Sequence, residues 1–187
     1  MDTPQEIQDD AQMRMEGAVE KLGGDFSSIR TGRANPQVLQ RITVDYYGTR
    51  TPLLQLANCA VPEARMLIVN PYDKSSLNAI EKAIRESDLG LNPANDGDVI
   101  RCVFPELTKE RRKEYIKLAK TYAEDAKIAI RNVRRSARDA MGKLEAEGVM
   151  SEDELKAWQK SLEEVTSGEV AKIDTHLKSK ETELTAV

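Results

Sequence analysis

The chain has 187 residues, of which 32% are charged and 4% aromatic, and its net charge is −4. The length suits one or two domains, and so few aromatics fit long amphipathic helices with a small second core rather than one large globular core. No apolar run approaches membrane-spanning length and the acidic start MDTPQEIQDD lacks a signal-peptide core, so a soluble cytoplasmic protein with no membrane partner is expected.

Thr3-Pro4-Gln5-Glu6 has the form of a capping box with proline at the first helical position. The helix it opens has Ile7, Ala11, Met15, Ala18, Leu22, Phe26 and Ile29 on one face, and Gly23-Gly24 weakens its middle. It is expected to end near Arg30, because Thr31-Gly32 and then Asn35-Pro36 follow.

From Pro36 to Pro105 the period changes to short strand-like runs. Val38–Tyr47 and Thr51–Leu56 flank Gly48-Thr49, which reads as a hairpin turn. Arg65–Val69 reads as a buried strand, Ser75–Ser87 as a short amphipathic helix, Gly90–Gly97 as a turn-dense loop, and Asp98–Phe104 as a half-buried strand. This segment predicts a compact α+β unit.

Neither glycine nor proline occurs between Thr108 and Met141, and apolar residues recur every three to four positions, which predicts a helix over Thr108–Glu147. Ile116, Ala119, Ala123, Ala126, Ile130, Val133, Ala137, Ala140 and Leu144 form its apolar seam. Beside the seam runs a mostly cationic stripe of Lys113, Lys117, Lys120, Glu124, Lys127, Arg131, Arg134 and Arg138. Ser151-Glu152-Asp153-Glu154 then forms a second capping box. The last helix offers Leu155, Trp158, Leu162 and Val165, then Val170, Ile173, Leu177 and Leu184, with a phase shift around Gly168.

Three helices with matching apolar faces predict an elongated bundle built from both ends of the chain, residues 1–31 and 106–187, with an α+β domain, residues 32–105, inserted between them. Two connections rich in glycine and proline suggest a hinge at Thr31, Gly32, Asn35, Pro36, Phe104 and Pro105.

Charge is distributed unevenly along this layout. Residues 106–148 carry 12 basic and 8 acidic side chains, whereas residues 149–187 carry 5 and 9. The positive field is thus confined to the long helix, where it can attract phosphate although the whole chain is acidic. Lys127, Arg131, Arg134 and Arg138 fall within about 60° on a helical wheel, and no acid lies between Lys127 and Arg138. Like charges so spaced repel unless an anion lies against them, and arginine forks hold phosphate in a bidentate way. A solvated helix face remains the alternative, and for Lys113–Lys120 the two readings stay open.

Signals for catalysis are poor. There is no phosphate-binding glycine loop, HExxH or GxSxG, and the single histidine, His176, sits in the last helix between apolar positions. Cys59 and Cys102 lie among apolar residues with no CxxC, and read as reduced core thiols rather than metal ligands. No enzyme, cofactor or metal is expected. Tyr46 and Tyr47 should place one ring inside and one outside, where the outer ring has no second aromatic nearby with which to form a base-stacking platform.

Five separated segments resemble the bacterial ribosome recycling factor family: SSIRTGRANP (Ser27–Pro36), VDYYGTRTPLLQLA (Val44–Ala57), EKAIRESDLGLNP (Glu81–Pro93), LTKERRKEYIK (Leu107–Lys117) and IRNVRRSARD (Ile130–Asp139). The resemblance implies an α+β protein with a three-helix bundle and a small β/α/β domain in an elbow-shaped arrangement. It also implies a non-enzymatic, monomeric translation factor. Such a factor binds the post-termination ribosome through large-subunit ribosomal RNA and, with elongation factor G and GTP hydrolysis by that partner, splits the ribosome into subunits. Carried over by motif, the RNA-facing arginines are Arg30, Arg131 and Arg134; Arg33, Lys127, Arg135 and Arg138 join them from spacing. The family's PPLTEERR is here FPELTKERR, so Phe104, Glu106 and Lys109 depart from it. A coiled-coil adaptor whose stripe binds an acidic protein is the rival reading.

Overall fold

The computed structural model describes residues 3–186, and within it the chain divides into two compact units. One contains Met1–Phe26 with Lys117–Glu181, the other Ser27–Ile116 with Thr182–Val187.

The first unit is helical. Its α1, Pro4–Ser27, starts where Thr3 Oγ1 accepts the Glu6 backbone N–H at 3.2 Å. The helix runs through Gly23-Gly24 and buries Ile7, Ala11, Met15, Val19, Leu22 and Phe26. It stops three residues before Arg30, whose side chain is buried in the second unit.

The long helix α4, Lys109–Ala146, has Ala119, Ala123, Ala126, Ile130, Val133, Ala137, Met141 and Leu144 buried. The expected seam is therefore present from Ala119 onward, with Ile116 only half-buried and Met141 rather than the half-buried Ala140 filling its last turn but one. Thr108 caps its start by accepting the Arg111 N–H at 3.2 Å. Its end is a Schellman motif: Gly148 takes φ +76°, while Val149 N donates to Leu144 O and Gly148 N to Glu145 O, each at 2.9 Å.

Helix α5, Glu152–Thr185, begins with a reciprocal capping box. Ser151 N donates to Glu154 Oε2 at 2.7 Å and Glu154 N to Ser151 Oγ at 3.2 Å, which holds the Glu154 carboxyl below its ordinary pKa. The helix is continuous through the phase shift, where Thr166 and Glu169 are buried instead of apolar residues. Trp158 is half-buried and His176 exposed.

Helix directions follow from side-chain pairs. Gln8 Nε2 donates to Ser161 Oγ at 2.8 Å and Thr166 Oγ1 to Met15 Sδ at 3.8 Å, so α1 and α5 run in parallel. Lys120 with Glu181, Lys127 with Asp174 and Arg134 with Glu163 make α4 antiparallel to α5.

The second unit differs in detail from the sequence expectation. Val38–Tyr47 is not one strand: Asn35 caps a 3₁₀ turn at Pro36–Leu39, and β1 is only Thr43–Tyr46. It pairs with β2, Thr49–Pro52, through a two-residue turn at Tyr47-Gly48, not at Gly48-Thr49. Both turn residues have positive φ, 49° and 77°, a type I′ geometry matched to the strand twist. Pro52 then ends β2, and Leu53–Leu56 form a single helical turn, α2.

A four-stranded antiparallel sheet follows in the order β3-β4-β6-β5, from β3 Ala57–Glu63, β4 Met66–Pro71, β5 Asn92–Asn95 and β6 Ile100–Val103. Neither β3 nor β5, both edge strands, is signalled in the sequence. Each carries a proline within it, Pro62 or Pro93, which an edge strand tolerates, whereas the central β4 has one only as its last residue, Pro71. Helix α3, Leu77–Arg85, buries Leu77, Ile80 and Ile84. They join Leu39, Val44, Leu53, Leu67, Val69, Ile100, Cys102 and Phe104 in one core.

Burial pushes the Cys102 thiol up to about 12 and also raises that of Cys59, so both are inert neutral side chains. Among the described residues no helix is long and apolar enough to cross a membrane.

Candidate nucleic-acid interface

The cationic stripe of α4 separates into two rows. Lys120, Lys127 and Arg134, seven residues apart, face α5 and pair with its acids. Lys127 is the tightest of these: its Nζ lies 2.6 Å from Asp174, and its side chain is only 22% exposed. This side chain therefore joins two helices. Arg134 is held more loosely, its Nη1 lying 3.3 and 3.4 Å from the two carboxylate oxygens of Glu163.

The outer row is Arg131, Arg135 and Arg138, all exposed, at the i, i+4, i+7 spacing that keeps side chains on one helix face. Arg131 Nη1 reaches Glu124 Oε1, one heptad back on α4, at 3.0 Å. Among the described residues Arg135 and Arg138 carry no ion pair. Arg134, Arg135 and Arg138 line a shallow cleft of about 300 Å³ together with Asp139 and with Gln159 of α5. Three guanidinium groups around one opening make a surface suited to phosphate, with planar forks and little apolar lining.

The sequence reading gives Gln159, Glu163 and Glu124 no part in the site. The one available signal is the heptad match of Lys120, Lys127 and Arg134 with the acids of the last helix, which becomes informative only once the helices are known to be antiparallel.

Arg30 and Arg33 belong to the second unit. Arg30 is only 4% exposed. Its Nη1 donates to Leu89 O at 3.1 Å, its Nε to Thr31 O at 3.3 Å, and its Nη2 to Pro105 O. The guanidinium also lies 5.5 Å from the centre of the Phe104 ring. Burial lowers its pKa from the ordinary value, which Tyr115 opposes and Arg111 and Arg65 reinforce. The expected RNA-facing guanidinium is thus covered and engaged with backbone carbonyls.

Arg33 is exposed, with its backbone N–H donated to Thr31 Oγ1 at 3.2 Å. The segments read as hinges are hydrogen-bonded as well. Asn35 caps the 3₁₀ turn begun by Pro36. Phe104 N donates to Arg65 O at 2.8 Å, and Arg65 Nε returns a bond to Phe104 O at 3.0 Å.

The ribosome recycling factor family pattern matches residues 22–185. A ribosome-recycling factor of Cutibacterium acnes is 55% identical over 94% of this chain and 95% of its own length. One from Geobacillus sp. is 51% identical over 98% of this chain and 99% of its own. A solution structure of a ribosome recycling factor matches with a TM-score of 0.76 at 37% identity, covering 98% of each chain. A second match, with a TM-score of 0.69 and 42% identity over 98% of this chain and 100% of the other, is the Thermus thermophilus ribosome recycling factor, placed with Escherichia coli elongation factor G on the E. coli post-termination complex.

Proposed function

Because the chain belongs to the ribosome recycling factor family, we propose that its α4 arginine face docks on ribosomal RNA of the post-termination ribosome. There it acts with elongation factor G, as in the related complex, to split the ribosome into subunits for a new round of protein synthesis. Membership makes it a factor of ribosome recycling. Its own part is binding and transmission of force, with GTP hydrolysis belonging to the partner, and it works in the cytoplasm as a monomer.

The single observation supporting the docking face is the row Arg131, Arg135 and Arg138, two of which have no carboxylate partner among the described residues. Arg134 and Gln159 extend that face across the cleft. With no recognition helix and no aromatic side chain interleaved among the arginines, the contact is to backbone phosphates and shape rather than to base sequence. Lys127 serves the α4–α5 pairing instead. Arg33 is exposed and available to RNA, whereas Arg30 acts through the backbone it ties together.

We place the joint between the bundle region, 1–31 with 106–187, and the inserted region, 32–105, at Thr31, Gly32, Asn35, Pro36, Phe104 and Pro105. Supporting this is the lack of helix or strand over 28–35 and 104–108, although the compact units themselves divide at 26/27 and 116/117, which puts these residues within the second unit. The test of the whole reading is subunit splitting: post-termination ribosomes mixed with the full chain, elongation factor G and GTP should separate into subunits. Ribosomes that stay intact while a known family member splits them contradict it.

A further inference from the structure

Two carboxylates already occupy the guanidinium groups that would meet phosphate. Glu163 takes Arg134 Nη1 through both of its oxygens at 3.3 and 3.4 Å, and Glu124 takes Arg131 Nη1 at 3.0 Å. Both pairs are open to solvent, with side-chain exposures of 36% and 46% for the first and 55% and 54% for the second. They differ in this from Lys127–Asp174, which is short and has a covered lysine. Exposed pairs of this kind are weak and readily exchanged. Next to them stand Arg135 and Arg138, which among the described residues have no carboxylate to give up.

We propose that Glu163 and Glu124 are internal stand-ins for RNA phosphate, displaced when the arginine face binds and restored when it leaves. They set the affinity of that face. The inference rests on the reading that the α4 arginines contact RNA. Its physical content is competition: each carboxylate returned to water subtracts from what its arginine gains on phosphate, so binding stays weaker and more reversible than four free arginines would make it. Arg135 and Arg138 give the first hold; Arg131 and Arg134 add theirs only where a phosphate can replace the carboxylate.

The test uses the full chain carrying E163Q or E124Q, with E152Q as control, since Glu152 bridges Lys156 at 2.8 Å away from any arginine. Ribosome binding is measured across a salt series. Each of E163Q and E124Q is expected to bind about two- to fivefold tighter. E152Q should leave the affinity unchanged. Unchanged affinity in E163Q and E124Q overturns the proposal. So does weaker binding by E163Q, which would make Glu163 a support that aims Arg134. A parallel R135A R138A variant separates the two levels: if it binds as the wild type does, the RNA face itself is wrong and the stand-in role falls with it. If it binds weakly while E163Q changes nothing, only the stand-in role is lost.

Discussion

The guanidinium of Arg30 and the ring of Phe104 lie 5.5 Å apart in the interior of the second unit, both almost fully covered. The same guanidinium bonds the carbonyls of Thr31, Leu89 and Pro105, so one side chain joins three segments distant in sequence. Gly90, at φ +66°, brings the backbone close to it: a Cβ there would sit 3.7 Å from Nη1. Arg30→Ala leaves covered carbonyls without donors and is expected to cost about 3 kcal/mol. Arg30→Lys should recover only part of this, because an ammonium lacks the fork that spans three acceptors. Urea denaturation of the three proteins checks both statements.

Small residues let the bundle helices approach closely. Ala123 is 2% exposed on α4, so Ala123→Leu forces extra methylenes into a filled seam and should cost about 1–3 kcal/mol. Ala129, on the exposed side of the same helix, is the control: Ala129→Leu should change stability little. The readout is the midpoint of thermal unfolding.

Glu169 is 5% exposed; one of its oxygens accepts Lys172 Nζ at 2.7 Å, and the other is buried with no hydrogen-bond partner among the described residues. Burying a carboxylate so incompletely paired is costly. Glu169→Met keeps the volume and removes the charge, leaving Lys172, already exposed, in water. The variant is expected to unfold at a higher urea concentration than the wild type, by about 1 kcal/mol or more.

Acid should destabilise the second unit through two aspartates. Hydrogen bonds from the Ser75 hydroxyl and backbone N–H, and then from Tyr46, hold Asp73 below its ordinary 3.8. The N–H groups of Val99 and Asp98 do the same for Asp96. As pH falls through that range the unfolded chain takes up protons before the folded one, so the stability present above it is lost below it. Urea midpoints should therefore drop as pH falls below about 4, and a D73N D96N variant should show a shallower drop.

Much of the helical part was legible because its signals are local. The Gly- and Pro-free run before Met141 and the period of Ala119, Ala123 and Ala126 identify α4 without knowledge of its neighbours, and both serine and threonine caps fall where their spacing puts them. The sheet was less legible. β3 and β5 are edge strands with proline, without the alternation that marks a half-buried strand, and they exist because β4 and β6 offer them backbone partners.

The site was legible as a region but not as a pattern. Lys127, Arg134 and Arg138 look equivalent on a helical wheel. Only the antiparallel α5, with Asp174 and Glu163 opposite the first two, makes them different. Arg30 could not be told from a surface arginine, since its burial depends on carbonyls 59 and 75 residues away.

The outer arginine row carries the functional account, and the salt dependence of ribosome binding by R135A R138A tests it most directly. Neither side chain has an ion-pair partner among the described residues, so the variant should fold as stably as the wild type. It should bind ribosomes more weakly, and its slope of log affinity on log salt should be shallower by about 0.7 to 0.9 for each arginine removed. A stably folded variant with the wild-type affinity and the wild-type slope would contradict the account.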